Sequence, residues 1–347
     1  MSRASGPSTR AEADAIVTAA RTGDESAFAL LAESYRPELQ VHCYRMLGSF
    51  EDAEDIVQET YLRAWRSRSS FEGRSTLRAW LYRIATNACL ELLRRRPRRL
   101  LPPEVAAAAD PHVSPRATAD LPWLQPYPDR MLEPVASGDS EPDAVLVAKE
   151  TIGLAFMVAI QHLPPRQRAV LILRDILGWS AKETAEVLDA TVGAVNAALQ
   201  RARSTLKPHL PARRLESASV ADPSEEELAL VRRYVDAHER ADASALAELL
   251  REDARLTMPP TPTWYDGRAA IVTFHAEQLF GSGYRWRSVL TAANRQPAVA
   301  FYARPPGKSE YPASVIDVLQ IQGGLIGRID AFVLPRLFAA FGLPPTM

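Results

Sequence analysis

The chain has 347 residues, of which 47% are hydrophobic and 24% charged, and its formal net charge is −1. That length exceeds one ordinary core and points to two or three domains, while the composition excludes a disordered or fibrous chain. No run of 18 apolar residues is available to cross a bilayer, and the polar first fifteen residues lack the apolar stretch of a secretion signal, so a cytoplasmic protein without a membrane partner is expected. The two cysteines, Cys43 and Cys89, each sit in an apolar helical pattern. They exclude a disulfide framework and a multi-cysteine zinc site, and are expected as buried reduced thiols. No metal or cofactor site emerges.

The near-zero net charge hides strong segregation. Residues 51–59 hold five acids and no base, residues 61–99 hold eleven arginines against Glu72 and Glu91, and residues 190–215 hold five bases and no acid. Adjacent surfaces of opposite sign suggest separate partners, the basic ones being the electrostatic footprint of nucleic-acid contact.

Residues 10–97 read as helical. Ala13–Arg21 and Ser26–Leu47 carry apolar residues at helical spacing, Gly48 stops the second helix, and Ser49 caps a third that runs to about Trp65. After the polar stretch RSRSSFEGRS, Thr76 opens a helix to Arg96, ended by Pro97. Residues 98–142 are expected as an extended interdomain linker, since 97–142 contains ten prolines and one glycine. Within it, LPWLQPYPD at 121–129 sets Trp123, Leu124 and Tyr127 among prolines, as a stiff segment that docks in a groove does. Residues 143–210 return to helix: Ala144–His162, Arg166–Leu177, Ala181–Leu188 and Thr191–Leu206. Residues 211–224 form a second linker. From 225 the pattern changes. Helices Glu225–Arg240 and Ala243–Leu250 precede β-like runs at Ala254–Met258, Arg285–Ala293, Ala298–Tyr302, Ser314–Gln322 and Leu325–Phe332, with Gly323-Gly324 as a hairpin turn. The expected fold is therefore multidomain: two all-α domains, the second with a helix-turn-helix, then an α+β domain with an antiparallel meander.

The segment SAKETAEVLDATVGAVNAALQRARSTL (180–206) fits the helix-turn-helix. Small Ala185 lets two helices cross, Val187, Leu188, Val192, Val195 and Leu199 supply their shared core, and Thr191 caps the second helix. DAEDIVQETYLRAW (52–65), STLRAWLYRIATNACLELLRRR (75–96), LPPRQRAVLILRDILGWSAKETAEVL (163–188) and this helix-turn-helix follow one another in an order that resembles bacterial extracytoplasmic-function sigma factors of the sigma-70 family. The resemblance covers roughly residues 25–97 (sigma domain two) and 143–208 (sigma domain four).

The resemblance implies core RNA polymerase and promoter DNA as partners. It assigns the acidic helix to a coiled coil on the largest polymerase subunit, and the flap region is the second expected contact. Asp52, Asp55 and Glu59 share a face at i, i+3, i+7, with Gln58 and Leu62 beside them. The −10 promoter element falls to Arg66, Arg68, Phe71, Arg74 and Ser75 in the loop, and to Arg78, Arg83, Asn87, Arg94, Arg95 and Arg96 on the following helix. Melted DNA calls for cations on the backbone and stacking surfaces for bases. Trp80 and Tyr82 lie two positions apart, so at least one is expected in the core. The −35 element falls to Lys182, Thr191, Val192, Gly193, Asn196, Gln200, Arg201 and Arg203, the two arginines reaching phosphates. Asp189 stands at the turn position usually held by glycine. The linker, with five bases against nine acids between 98 and 150, would thread toward the active-site channel.

The last 120 or so residues resemble the SnoaL-like fold, a cone of helices against a curved sheet. The carrying stretches are LVRRYVDAHERADASALAELLREDARLTMPP (230–260) and WYDGRAAI (264–271). Asp266, His275, His238 and Asp330 are the candidate acids and bases of such a cone. No nucleophile–base pair accompanies them, and capping of the following helix accounts for Asp266. Val231, Tyr234 and Val235 form a helical face expected to pack partly on the sigma domains. The reading is a sigma factor, not an enzyme, modulated by its own C-terminal domain at 225–347, with a possible small ligand for that domain. Two rivals are a SnoaL-like cyclase or isomerase fused to DNA-binding helices, and an ordinary operator-binding regulator. Neither needs the acidic helix 52–65.

Overall fold

The computed structural model describes residues 18–20, 22–71, 76–96, 98–115, 120–132, 152–208 and 224–347. Most of the expected helix Ala13–Arg21, the first part of Ala144–His162 and all but the last residue of the linker 211–224 lie outside them. The described residues up to 98, with 159–208, form one compact unit; those of 99–130, 152–158 and 224–347 form another.

In the first unit, α1 (Glu25–Leu47), α2 (Phe50–Arg66) and α3 (Leu77–Arg95) each begin at a side-chain cap: Asp24 accepts from the Ala27 N–H, Ser49 from Asp52 and Thr76 from Ala79. Gly48 takes the left-handed conformation (φ 68°) and its N–H donates to the Tyr44 carbonyl, which turns the chain sharply into α2. Leu39, Tyr44, Leu47, Phe50, Val57, Leu81, Ala85 and both cysteines are buried. Cys89 is held as a thiol, its pKa raised by burial and then by neighbouring Cys43. Tyr82 is the core residue of the Trp80/Tyr82 pair, with its hydroxyl donating to Glu38 Oε2 at 3.1 Å.

After α4 (Leu154–Gln161), α5 (Pro165–Leu171) continues into a π-helical turn over Ile172–Ile176. Then come α6 (Ala181–Leu188) and α7 (Val192–Leu206). Ser180 and Glu183 form a reciprocal capping box at the start of α6. Asp189 sits in the left-handed region (φ 48°), and Thr191 accepts from the Ala194 N–H to start α7. The helix-turn-helix thus forms where its caps fall, and aspartate tolerates the turn that glycine would make easily.

The second unit contains α8 (Glu225–Glu239), α9 (Ala243–Leu249), α10 (Arg268–Phe274, extended as a π-helix over His275–Phe280) and one six-stranded sheet. The strands are β1 (Leu250–Thr257), β2 (Trp264–Asp266), β3 (Arg285–Ala293), β4 (Gln296–Arg304), β5 (Ala313–Gln322) and β6 (Leu325–Phe332), in the order β2-β1-β6-β5-β4-β3. The expected meander is present from β3 to β6, but β1 pairs with β6 in parallel. The chain leaves β1 through β2 and α10, crosses to the far edge, and meanders back to β1. Three-residue β2 is too short to show alternation, so the sequence did not reveal it.

Three expectations need correction here. Val231 and Tyr234 are buried in this unit's own core with Leu246, Phe274, Phe301 and Ile329, and Val235 packs against that core. That helical face is consumed inside its own domain, where each such side chain gains about 1.5–3 kcal/mol. Asp266 does not cap α10, whose N-cap is Gly267 without a side-chain bond; it pairs instead with Arg255 at 2.8 Å across the β1–β2 ladder.

The third concerns the proline-rich linker. Residues 99–130 belong to the second unit. Trp123, Leu124 and Tyr127 are buried. The indole N–H of Trp264 donates to the Ala106 carbonyl at 2.8 Å, and the Ala109 N–H donates to the Trp264 carbonyl at 2.8 Å. Asn294 and Arg295 form the two-residue β3–β4 turn with φ 54° and 58°. Asn294 exchanges two bonds with Tyr127, its N–H donating to the Tyr127 carbonyl and its Oδ1 accepting from the Tyr127 N–H. The segment is a docked strap, because its aromatics find a groove and its prolines leave few backbone donors to satisfy.

Candidate functional site

On α2, Ala53, Val57, Thr60 and Ala64 face inward. Asp55 and Gln58 are exposed, and Leu62 leaves 51% of its surface in solvent. The other two acids of the expected face are engaged. Asp52 accepts from Arg96 at 2.9 Å, and Glu59 pairs with Arg63 at 2.7 Å, which also reaches Glu91 at 2.9 Å. Burial, then neighbouring Asp55 and Glu51, hold the Glu54 carboxyl above its ordinary pKa. The free surface is therefore a shorter row, Asp55, Gln58 and Leu62 at i, i+3, i+7, with an apolar end.

The basic helix α3 divides similarly. Arg83, Asn87, Arg94 and Arg95 are exposed, and Trp80, Arg83, Asn87 and Arg94 form one stripe at i, i+3, i+7, i+14. Arg66 is exposed, whereas Arg68 lies over the Trp65 ring at 4.1 Å and donates to its carbonyl. Phe71 is buried against Trp80, with ring centroids 5.2 Å apart, so it offers no open stacking face. Arg78 donates to Glu38 at 2.8 Å, and Arg96 is held by Asp52. Arg74 and Ser75 lie outside the described residues.

On α7, Val195, Leu199, Ala202 and Leu206 are buried, while Thr191, Gly193, Asn196, Gln200 and Arg201 are exposed, as is Val192, which was expected in the shared core but stands on the first turn facing away from α6. Val192, Asn196 and Gln200 stand one turn apart on a single outward face, and exposed Lys182 lies on α6. Arg203 makes a bidentate pair with Asp175, at 2.9 and 2.7 Å.

The two helical parts of the first unit pack directly on one another. Arg168 is buried, and its guanidinium donates to the carbonyl of Met46, to Gln161 Oε1 at 2.7 Å, and to the carbonyls of Gln161 and Leu163. Burial pushes its pKa down to about 10, which still leaves it charged at neutrality. The Tyr82 and Trp179 rings meet at 5.1 Å, and Arg78 lies over both.

In the second unit a cavity of about 140 Å³ opens between the helices and the sheet. His238 and His275 line it. Asp330 does not; it is buried elsewhere, accepting from Thr257 Oγ1 and Arg328. The residue the sequence reading missed is Asp317, which lines the cavity and accepts from the Tyr234 hydroxyl at 2.8 Å. A signal was available, since Asp317 occupies an inward phase of β5, between Val315 and Leu319. Among the described residues no cluster of three metal-binding side chains occurs, and no helix is long and apolar enough to cross a membrane.

Comparison with known proteins bears on the family and the fold. Family profiles for Sigma-70 region 2, Sigma-70 region 4 and a SnoaL-like domain match residues 31–99, 153–206 and 231–329. The chain is 41% identical over 329 residues to the ECF RNA polymerase sigma factor SigG of Mycobacterium tuberculosis, covering 94% of this chain and 86% of that one. It is 32% identical over 191 residues to the ECF RNA polymerase sigma factor SigW of Bacillus subtilis, covering 55% of this chain and 92% of the relative. The crystal structure of Mycobacterium tuberculosis extracytoplasmic function sigma factor SigJ shares the fold, with a TM-score of 0.54 at 23% identity over 90% of this chain and 98% of that one.

Proposed function

The chain belongs to the extracytoplasmic-function sigma factors of RNA polymerase, and we propose from that premise how its surfaces divide the work. It directs core polymerase to promoters, and a SnoaL-like domain follows the two sigma domains. We assign polymerase docking, at the coiled coil of the largest subunit, to Asp55, Gln58 and Leu62. The observation that carries this is their joint exposure on α2 while the neighbouring acids are paired internally. A charged row ending in an apolar anchor suits a partner that must be both steered and held. The α3 stripe faces the −10 element and the outer face of α7 the −35 element, with domain four also meeting the flap region. The work is done in the cytoplasm, where the polymerase is.

The first unit supports a closed resting state. Elements centred at −10 and −35 lie about 25 base pairs apart, roughly 80 Å along B-form DNA at 3.4 Å per base pair. A compact unit of this size measures only about 40 Å across, and the Tyr82–Trp179 contact ties α3 to the helix-turn-helix domain. The unit must open to bind both elements. The second unit holds residues 99–130, which join the two halves of the first in sequence, so the C-terminal domain restrains the tether that opening requires. We assign it regulation in cis, not catalysis.

In vitro transcription with core polymerase tests this reading. Asp55→Arg with Leu62→Asp should lower co-elution with core at least tenfold without loss of helix; unchanged co-elution overturns the docking assignment. A chain ending near Pro211 should transcribe differently from the full chain, and identical transcription across core concentrations overturns regulation in cis.

A further inference from the structure

Arginines on the sheet of the second unit fall into two groups. Arg251, Arg255 and Arg328 meet the carboxylates of Asp253, Asp266 and Asp330 at 2.8, 2.8 and 2.9 Å. Arg285 and Arg287 on β3 and Arg304 on β4 meet no carboxylate among the described residues.

The ladder brings these three together. Arg285 stands directly opposite Arg304, and Arg287 follows two residues along β3, opposite Tyr302. Alternation puts all three on the sheet face away from Trp286 and Phe301, which line the cavity. Cross-strand neighbours are about 5 Å apart and i, i+2 neighbours about 7 Å. Both distances fall inside the Debye length of roughly 8 Å at physiological ionic strength. Like charges directly opposite are destabilising, so this corner of the sheet holds a repulsion that no described residue relieves.

The positions are also fixed. Arg287 lies 4.5 Å and Arg304 5.2 Å from the centroid of the Tyr311 ring, so one ring orients two guanidiniums. Tyr311 in turn exchanges backbone bonds with Met347 at 3.1 and 2.9 Å. Arg285 and Arg287 are exposed and Arg304 is half-buried. The loop after β4 adds exposed Lys308 and a single acid, Glu310, which is exposed and pairs with none of the three.

Three fixed cations on one face call for an anion that repeats. One carboxylate or free phosphate answers one guanidinium or two and leaves the third unmet. The phosphates of a nucleic-acid strand recur at a spacing of this order and answer all three. A six-stranded sheet is too broad to enter a groove, which admits a helix or a two-stranded ribbon, so its face meets backbone and not base edges. The connection to the helix-turn-helix favours a duplex. Only residues 207–224 separate α7 from α8, and they span at most about 60 Å. Duplex held by α7 is then presented to the face at high effective concentration. This last step rests on the promoter reading above, whereas the chemistry of the face does not.

We propose that the face formed by Arg285, Arg287 and Arg304 binds the phosphate backbone of duplex DNA without reading its sequence, as a contact additional to those of α3 and α7.

The test is binding of the full chain to a labelled random-sequence duplex of about 40 base pairs, followed by fluorescence anisotropy over a salt series. Each phosphate contact contributes about 0.9 to the slope of log K against log salt. Arg285→Gln with Arg287→Gln and Arg304→Gln should lower that slope by about two to three and weaken low-salt binding at least about tenfold. The denaturation midpoint of this triple variant should equal or exceed the parent's, because a repulsion is removed. Arg304→Gln alone should lower the slope by about one, which keeps the test open if the triple variant does not fold. Lysine at all three positions should restore the slope, since a phosphate accepts a point charge. Arg201→Ala reports on α7 separately: an unchanged slope there removes the promoter contact assigned to Arg201 and leaves the sheet face standing. A folded triple glutamine variant with the parent's slope overturns the proposal, also where it has lost binding to phosphatidylglycerol vesicles, a result that assigns the face to a membrane. Lysine variants that bind no better than the glutamine ones overturn it as well.

Discussion

The two units bury ionisable groups to different ends. Arg168 in the first unit is enclosed by neutral oxygens of Met46, Gln161 and Leu163, with no carboxylate among these acceptors. Asp317 in the second is enclosed by apolar walls and one phenol. A guanidinium cannot shed its charge near neutrality even when burial lowers its pKa to about 10. A carboxyl raised to about 7 can. The first group is therefore a fixed fastening between two helical domains, and the second a group whose charge responds to its surroundings. Burial of charge holds a shape in one unit and leaves an adjustable site in the other.

The largest effect expected from breaking this contrast is at Arg168. Arg168→Met keeps much of the length and removes every donor, leaving three backbone carbonyls and a side-chain amide oxygen unmet. The loss should be about 3 kcal/mol or more, read as a lower denaturation midpoint in guanidinium. Arg168→Lys should fall between, since an ammonium cannot reproduce the planar fork. An unchanged midpoint in the methionine variant would remove the fastening from the account.

A smaller effect sharpens the second half. His238 and His275 have native pKa values of about 3 and about 4, below the unfolded value near 6.5. As pH falls from 6.5 the unfolded chain takes up the protons, and stability declines. Asp317 and Asp129 run the other way. Burial raises them to about 7 and about 6, so the native state keeps their protons, and stability declines as pH rises from the unfolded value through the native one. At about 1.4 kcal/mol per pH unit per group, two histidines lose roughly 4 kcal/mol between pH 6.5 and 5. The two acids gain about as much between pH 7 and 5. The second unit should therefore hold nearly constant stability from pH 7 to 5. Asp317→Asn should expose the histidine limb, with a loss of roughly 2–3 kcal/mol on going to pH 5. Hydrogen exchange of the β4 and β5 amides measures this, and a variant as flat as the parent would contradict the assigned titrations.

The same contrast explains what was legible in the sequence. Helix starts were readable because caps are local: Ser49, Thr76 and Thr191 all accept from the N–H three residues ahead, whereas Asp24, which caps α1 in the same way, went unread. Strands β3 and β6 were bounded correctly because two-residue turns, Asn294-Arg295 and Gly323-Gly324, punctuate them. Charge segregation located the acidic and basic helices, but it could not say which charges pair. Asp52 and Arg96 stand 44 residues apart, and Arg203 and Asp175 stand 28 apart. The cavity was the least legible feature, because Tyr234, Asp317 and Trp286 meet only once β3, β5 and α8 are in place. The parallel β1–β6 pairing was hidden for the same reason.

The smallest effects expected are at the outer face of α7, where charge at the surface is free to act. Asn196 and Arg201 are exposed, and Arg203 is held by Asp175. A side-chain amide in a major groove can pair two ways with one base, which carries about 1–3 kcal/mol of discrimination. A guanidinium on a phosphate carries affinity without sequence information. Asn196→Ala should therefore relax preference at one −35 position by roughly 1 kcal/mol, whereas Arg201→Ala should weaken all promoters alike and reduce the salt slope by about one. Arg203→Ala should do less than Arg201→Ala, because its guanidinium must leave a bidentate carboxylate before it can reach a phosphate. Promoter-library binding at two salt concentrations separates the three variants. If Asn196→Ala scales every promoter equally while Arg201→Ala redraws the preference, α7 enters the groove by a different face from the one assigned to it.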